Sequence, residues 1–257
     1  MGDMIALLAL LLAVDAGTPH ETRSNIPATS AVAQMSLRDA KTILADYAKA
    51  IGDEKLWKKH HSVRVKREVS VKAMQFVSHE ETRIARGEKI YGESEMPGIG
   101  RFLRGCDGHT AWADDPIGGL RVLKDAEAED VRISAVWNSE WHLAASYART
   151  LSVPPPKAMP TGQSWECVEF HKTKGQPTEI CFDSNTHLRV WEQGVQASQG
   201  GQVPYVTKFS DWRPVDGVQV WHHESVTVGP VTMEGHIVEI VFDEPIPASL
   251  FALPRKK

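Results

Sequence analysis

From Pro154-Pro155-Pro156 to the C-terminus the chain carries seven strand-like runs and no helical one. They are residues 165–171, 179–182, 188–193, 205–212, 218–228, 231–233 and 236–242. Val, Ile, Phe, Thr and Trp, which suit a pleated surface, recur in them. Asn185-Thr186, Gly200-Gly201, Asp216-Gly217 and Gly229-Pro230 punctuate them, and such pairs supply the backbone angles of tight turns. Short strands joined at regular turns fold as a large antiparallel sheet, bent or barrel-like. The triple proline is a stiff extended spacer ahead of it.

The first half mixes both periods. Leu37, Ala40, Ile43, Leu44, Tyr47, Ala48 and Ile51 fall on one helical face, with Ser36 as the cap, Asp39 at the third position and Gly52 as the stop. From Val63 the period drops to two: Val63, Val65, Val69 and Val71 alternate with charged residues, and the phase slips at Met74 and Phe76, as at a bulge or turn. Strand-like runs follow at 81–86, 89–94, 101–104 and 109–113, and 123–136 reads as a helix. A helix continued past it would place Trp137, Trp141, Ala144 and Ala145 on one face. The expected fold is therefore mostly β (α+β), with helices covering one face of the sheet.

Residues 4–14 are apolar, the length of a secretion-signal core and too short to span a bilayer. Val14-Asp15-Ala16 offers a cleavage site after Ala16, although Met-Gly-Asp in front lacks Lys and Arg. The expected division is a signal peptide at 1–16, a flexible Thr/Ser/Ala/Pro lead at 17–35 and one domain over 36–257, exported to the periplasm. Without residues 1–16 the chain has 29 basic and 31 acidic residues. That near-neutral balance gives no electrostatic reason to bind nucleic acid or an anionic membrane.

Catalytic signatures are missing. The sequence has no G-x-S-x-G, no H-E-x-x-H, no phosphate loop and no dinucleotide fingerprint. His222 and His223 are neighbours and point to opposite faces of a strand, while His222 and Glu224 share one; a solvated strand face explains them, and no metal or other cofactor is expected. Asp114-Asp115 beside Pro116 read as turn carboxylates. Cys167 and Cys181 lie in two runs joined by Lys172-Thr173-Lys174-Gly175. If those runs form a hairpin the two are nearly opposite, a candidate disulfide in an oxidising compartment; otherwise they are two small buried apolar residues. Eight tryptophans stand out, because large rings can line an apolar cavity as well as a core.

Gly105 to Pro116, G-C-D-G-H-T-A-W-A-D-D-P, forms a hairpin whose turn is Asp107-Gly108. Its D-G-H-T-A-W resembles the D-G-x-T-x-W hairpin of the LolA-like outer-membrane lipoprotein carrier family and its wider lipoprotein-sorting superfamily. Residues 43–52, Phe182-Asp183 with Leu188, Ser210-Asp211-Trp212-Arg213 with Val215-Asp216-Gly217-Val218, and Phe242 with Leu250-Phe251-Ala252-Leu253-Pro254 are similar to other segments of that family, in the same order.

The resemblance implies a strongly curved antiparallel sheet, an unclosed barrel, with helices as a lid over an apolar cavity that shields lipid or lipoprotein acyl chains. Trp112, Trp137, Trp141, Trp191, Phe209 and Trp212 are the candidate cavity wall. Residues 82–87 stand where the family has a Trp-x-Lys-Arg-Pro strand whose Arg governs the lid; Arg86 falls at the Arg position, while Trp and Pro are absent. A carrier of this kind is non-enzymatic and has acyl chains, and an envelope membrane protein, as partners. Two rivals remain: a sensor or adaptor of the same fold that signals lipoprotein through a protein partner, and an enzyme using the cavity. A carrier predicts an enclosed apolar cavity with a lid, a sensor an exposed apolar patch, and an enzyme ionisable groups converging inside.

Overall fold

The computed structural model describes residues 37–71, 75–136, 140, 143–160, 162–198 and 201–255. The helices are α1 (Ala40–Ala50), α2 (Glu54–Lys59) and α3 (Asp125–Ala135). The strands of the first half are β1 (Ser62–Val71), β2 (Phe76–Ala85), β3 (Lys89–Met96), β4 (Gly100–Asp107), β5 (Ala111–Asp114) and β6 (Arg121–Val122). Those of the second half are β7 (Arg149–Val153), β8 (Trp165–His171), β9 (Thr178–Asp183), β10 (Arg189–Ser198), β11 (Gly201–Val215), β12 (Val218–Val228) and β13 (Val231–Phe242).

All thirteen join one antiparallel sheet in the order β6-β5-β4-β3-β2-β1-β13-β12-β11-β10-β9-β8-β7. Each half is a meander in which every strand pairs with its sequence neighbour. The pairing of β1 with β13, Val63 facing Phe242, joins the two halves. The sheet is not closed: β6 and β7 remain its edges. Register irregularities at Lys66/Arg67 and Arg189/Trp191 and the positive φ of Asp211 (57°) add local bend to the ordinary twist.

The helix expected over 36–52 begins later, at Ala40. Asp39 is its cap, its carboxylate accepting from Thr42 N at 3.2 Å; Ser36 lies outside the described residues. Gly52 ends it at φ 127°. Ile51 O accepts from Gln219 N at 2.8 Å, which docks the helix end on β12. Tyr47 packs 4.9 Å from Phe182.

Side chains of one sheet face and the helices form the main core, with Val63, Val65, Ile90, Val168, Phe170, Ile180, Phe182 and Trp221 at its centre. On the other face, Cys167, Cys181, Trp191 and Met159 form one cluster, and Tyr91, Trp112 and Phe251 another under the C-terminal segment.

Candidate functional site

Helix α3 spans the concave side, packing against β10 on one flank and β3, β4 and β5 on the other. Ala128, Val131 and Ala135 form its buried face. The turn between β8 and β9 ties it down. Lys172 Nζ donates to Asp130 Oδ1 at 2.7 Å and Lys174 Nζ to Asp125 Oδ1 at 3.0 Å. Thr173 N donates to Glu129 Oε1 at 3.3 Å.

Two cavities of about 100 Å³ each lie beside α3 and share Arg104, Asp130 and Gln196 in their walls. The first has apolar walls from Phe102, Leu103, Leu123 and Val131, with Glu80 and Glu127 among its polar ones. The second is more polar, lined by Glu140, Tyr147, Lys172, Arg189, Glu192 and Tyr205. The interior expected to be apolar is thus mixed.

The charges are arranged in pairs and triads. Arg67 donates to Glu224 Oε1 at 2.8 Å and to Glu80 Oε2 at 2.7 Å, and all three are buried. Burial pushes the Glu224 carboxyl up to about 7; Arg67 opposes this and the charge of Glu80 adds to it. One cation cannot fully compensate two carboxylates, so the triad holds a proton near neutrality. Arg189 bridges Glu140, at 2.9 Å, and Glu192, and its guanidinium lies 4.0 Å from the centre of the Phe209 ring. Tyr47 donates to Glu140, and Tyr205 to Glu192 at 2.5 Å. Burying such groups is tolerable only when they are matched. Among the described residues, no histidine lines either cavity.

The candidate wall residues separate. Phe209 and Trp212 both reach the main core, Trp212 donating from Nε1 to Arg189 O at 3.2 Å. Three residues apart, they would face opposite sides of an unbroken strand; the left-handed backbone at Asp211 shifts the phase between them. Trp112 and Trp191 sit in the clusters on the other face, away from both cavities. Trp137 and Trp141 lie outside the described residues. Arg86 donates from Nε and Nη2 to His60 O, at 3.2 and 2.9 Å, and from Nη2 to Lys58 O. It thus closes the end of α2, and the ties on α3 come from Lys172 and Lys174. Cys167 and Cys181, directly opposite on β8 and β9, are joined by a disulfide. Asp115 accepts from Ile117 N and Gly118 N and pairs with Arg121, as a turn carboxylate does.

On the outer face Ser210 Oγ lies 2.8 Å from His223 Nδ1, and His223 Nε2 lies 2.8 Å from Glu234 Oε2. Nucleophile, base and orienting acid are in sequence, but β12 pairs on both sides. The array is a cross-strand polar row.

The buried charges escaped the sequence reading although their phase was visible. Arg67 stands in the same phase as Val63, Val65, Val69 and Val71, and Glu224 in that of Val218, Val220, Val226 and Val228. A charge in the inward phase of a strand is the signal.

The sequence matches no protein-family model and no curated protein. Several solved structures share the fold. A LolA superfamily protein from Nitrosomonas europaea is 10% identical, with a TM-score of 0.54 over 83% of this chain and 97% of that one. A DUF1329 family protein from Desulfovibrio piger is 9% identical, at 0.53 over 82% and 96%. An outer membrane lipoprotein-sorting protein domain from Vibrio parahaemolyticus is 14% identical, at 0.51 over 81% and 94%.

Proposed function

With the LolA-type fold as premise, we propose that residues 36–257 act as a non-enzymatic carrier of amphiphiles in the periplasm, holding lipid or lipoprotein acyl chains beneath α3. The observation that carries this reading is a helix laid across an open curved sheet, with partly apolar cavities directly beside it. Each buried methylene contributes about 0.8 kcal/mol, so an acyl chain needs no specific chemistry to be held. Cavities of about 100 Å³ are below the roughly 300 Å³ at which ligand pockets begin; loading therefore requires α3 to move outward, as a lid does. The apolar run at 4–14 and the Cys167–Cys181 disulfide support export to an oxidising compartment.

Most of the ionisable groups inside are tied to one another, Arg67 to Glu224 and Glu80 and Arg189 to Glu140 and Glu192, which favours binding over turnover. The test is to purify the exported protein, extract it with organic solvent and analyse the extract by mass spectrometry, then titrate it with a fluorescent fatty acid. Co-purified lipid or saturable binding is expected. Neither in the extract nor in the titration would count decisively against a carrier.

A further inference from the structure

Three hydrogen-bond acceptors at the first cavity have no partner among the described residues. Glu80 is 5% exposed; its Oε2 takes Arg67, while its Oε1 has no partner. Gln196, 9% exposed, stands where the two cavities meet, and its Oε1 also has none. Glu127, on the first turn of α3, lines the same space and makes no ion pair among the described residues. The other acids there are already engaged: Asp115 with Arg121, Asp130 with Lys172, and Glu93 with Arg101. Buried polar atoms are almost always satisfied in native proteins, and an unsatisfied one costs about 1–3 kcal/mol. The apolar wall of Phe102, Leu103, Leu123 and Val131 adjoins them.

We propose that this cavity is a head-group subsite for an amphiphile whose head donates hydrogen bonds, a hydroxyl or an ammonium, in preference to a carboxylate or phosphate. Glu80 Oε1, Gln196 Oε1 and the Glu127 carboxylate accept from the head, and the tail follows the apolar wall. An anionic head would leave these three acceptors unpaired and set its own charge beside Glu80, Glu127 and Asp115. Arg121 and Arg104 are the cations on that wall; Arg121 is already bound to Asp115, and Arg104 opposes an ammonium. The inference rests on the carrier reading and names the class of its cargo.

Three probes with the same eighteen-carbon chain test it: glycerol mono-oleate, oleylamine and oleate, each competing against one fluorescent fatty acid on the full exported chain. At least one of the first two should bind about tenfold tighter than oleate, and which one does separates hydroxyl from ammonium recognition. Q196L keeps the side-chain volume and removes the acceptor, and E127Q alters a half-exposed site; each should shrink the preference severalfold with an unchanged thermal melt. Oleate binding as tightly as both others, or variants that leave the ratio intact, overturns the head-group subsite while the carrier reading stands. No binding of any probe overturns both.

Discussion

The indole of Trp112 packs directly over Gly105, its cross-strand partner. A Cβ on Gly105 would lie 2.5 Å from Trp112 Cζ2, and Trp112 Nε1 donates to Phe251 O at 2.9 Å. The ring thus covers a bare backbone and pins the C-terminal segment to β5. Such covering of a strand glycine by an aromatic is a known way to fix register. Gly105 has no left-handed φ, so a substitution there reports on space alone. G105A should lose about 1–3 kcal/mol in urea denaturation, the usual cost of overpacking. In a W112A background the same change should cost much less, a coupling that a double-mutant cycle measures directly.

Glu224 should make stability fall with rising pH. Its carboxyl is raised from the ordinary value of 4.5 to about 7 in the folded chain. Between those values the folded state holds a proton that the unfolded state has lost, so stability declines as pH climbs from about 4.5 to about 7 and stays low above it. At about 1.4 kcal/mol per pKa unit the loss is on the order of a few kcal/mol. E224Q imitates the neutral acid. It should match the native protein near pH 5 and exceed it at pH 8 in parallel chemical denaturation.

The Cys167–Cys181 disulfide closes a sequence separation of 14. A loop of that length corresponds to roughly 3 kcal/mol of stabilisation. The double serine variant, or the native protein under reductant, should lose about that much, with β8 and β9 the first strands to lose amide protection in hydrogen exchange.

Lys172 and Lys174 hold α3 from the turn between β8 and β9. Replacing both with Ala should raise amide exchange in α3 about tenfold and speed uptake of a fluorescent fatty acid, with little change in the melting temperature. Unchanged exchange in α3 would deny these lysines a part in holding the lid.

Much of the fold was readable because it is local. Alternation along β1, β8 and β12, the Asp107-Gly108 turn and the helical stripe of Ile43, Tyr47 and Ala48 each follow from a few adjacent residues. The site was less readable because it depends on distant pairs. Arg67 meets Glu80 across one hairpin, but it meets Glu224 157 positions away. The tryptophans misdirected the reading for the same reason. Trp112 stands between Ala111 and Ala113, whose small side chains face the main core, so the large ring turns outward. What covers it there is Phe251, 139 residues further on. The start of α1 moved because Asp39 is both near the expected cap and a good cap itself.

The two outermost strands of the sheet, β6 and β7, are consecutive in the chain, and α3 lies in the segment between them. No backbone ladder fixes the width of the gap they leave. Swinging α3 outward would lengthen the rim-to-rim distance without breaking one strand pairing, so the interior can grow at the cost of a few side-chain contacts. On the proposed carrier reading, the strap that shuts the molecule also sets its girth, and one fold could admit cargoes of different bulk.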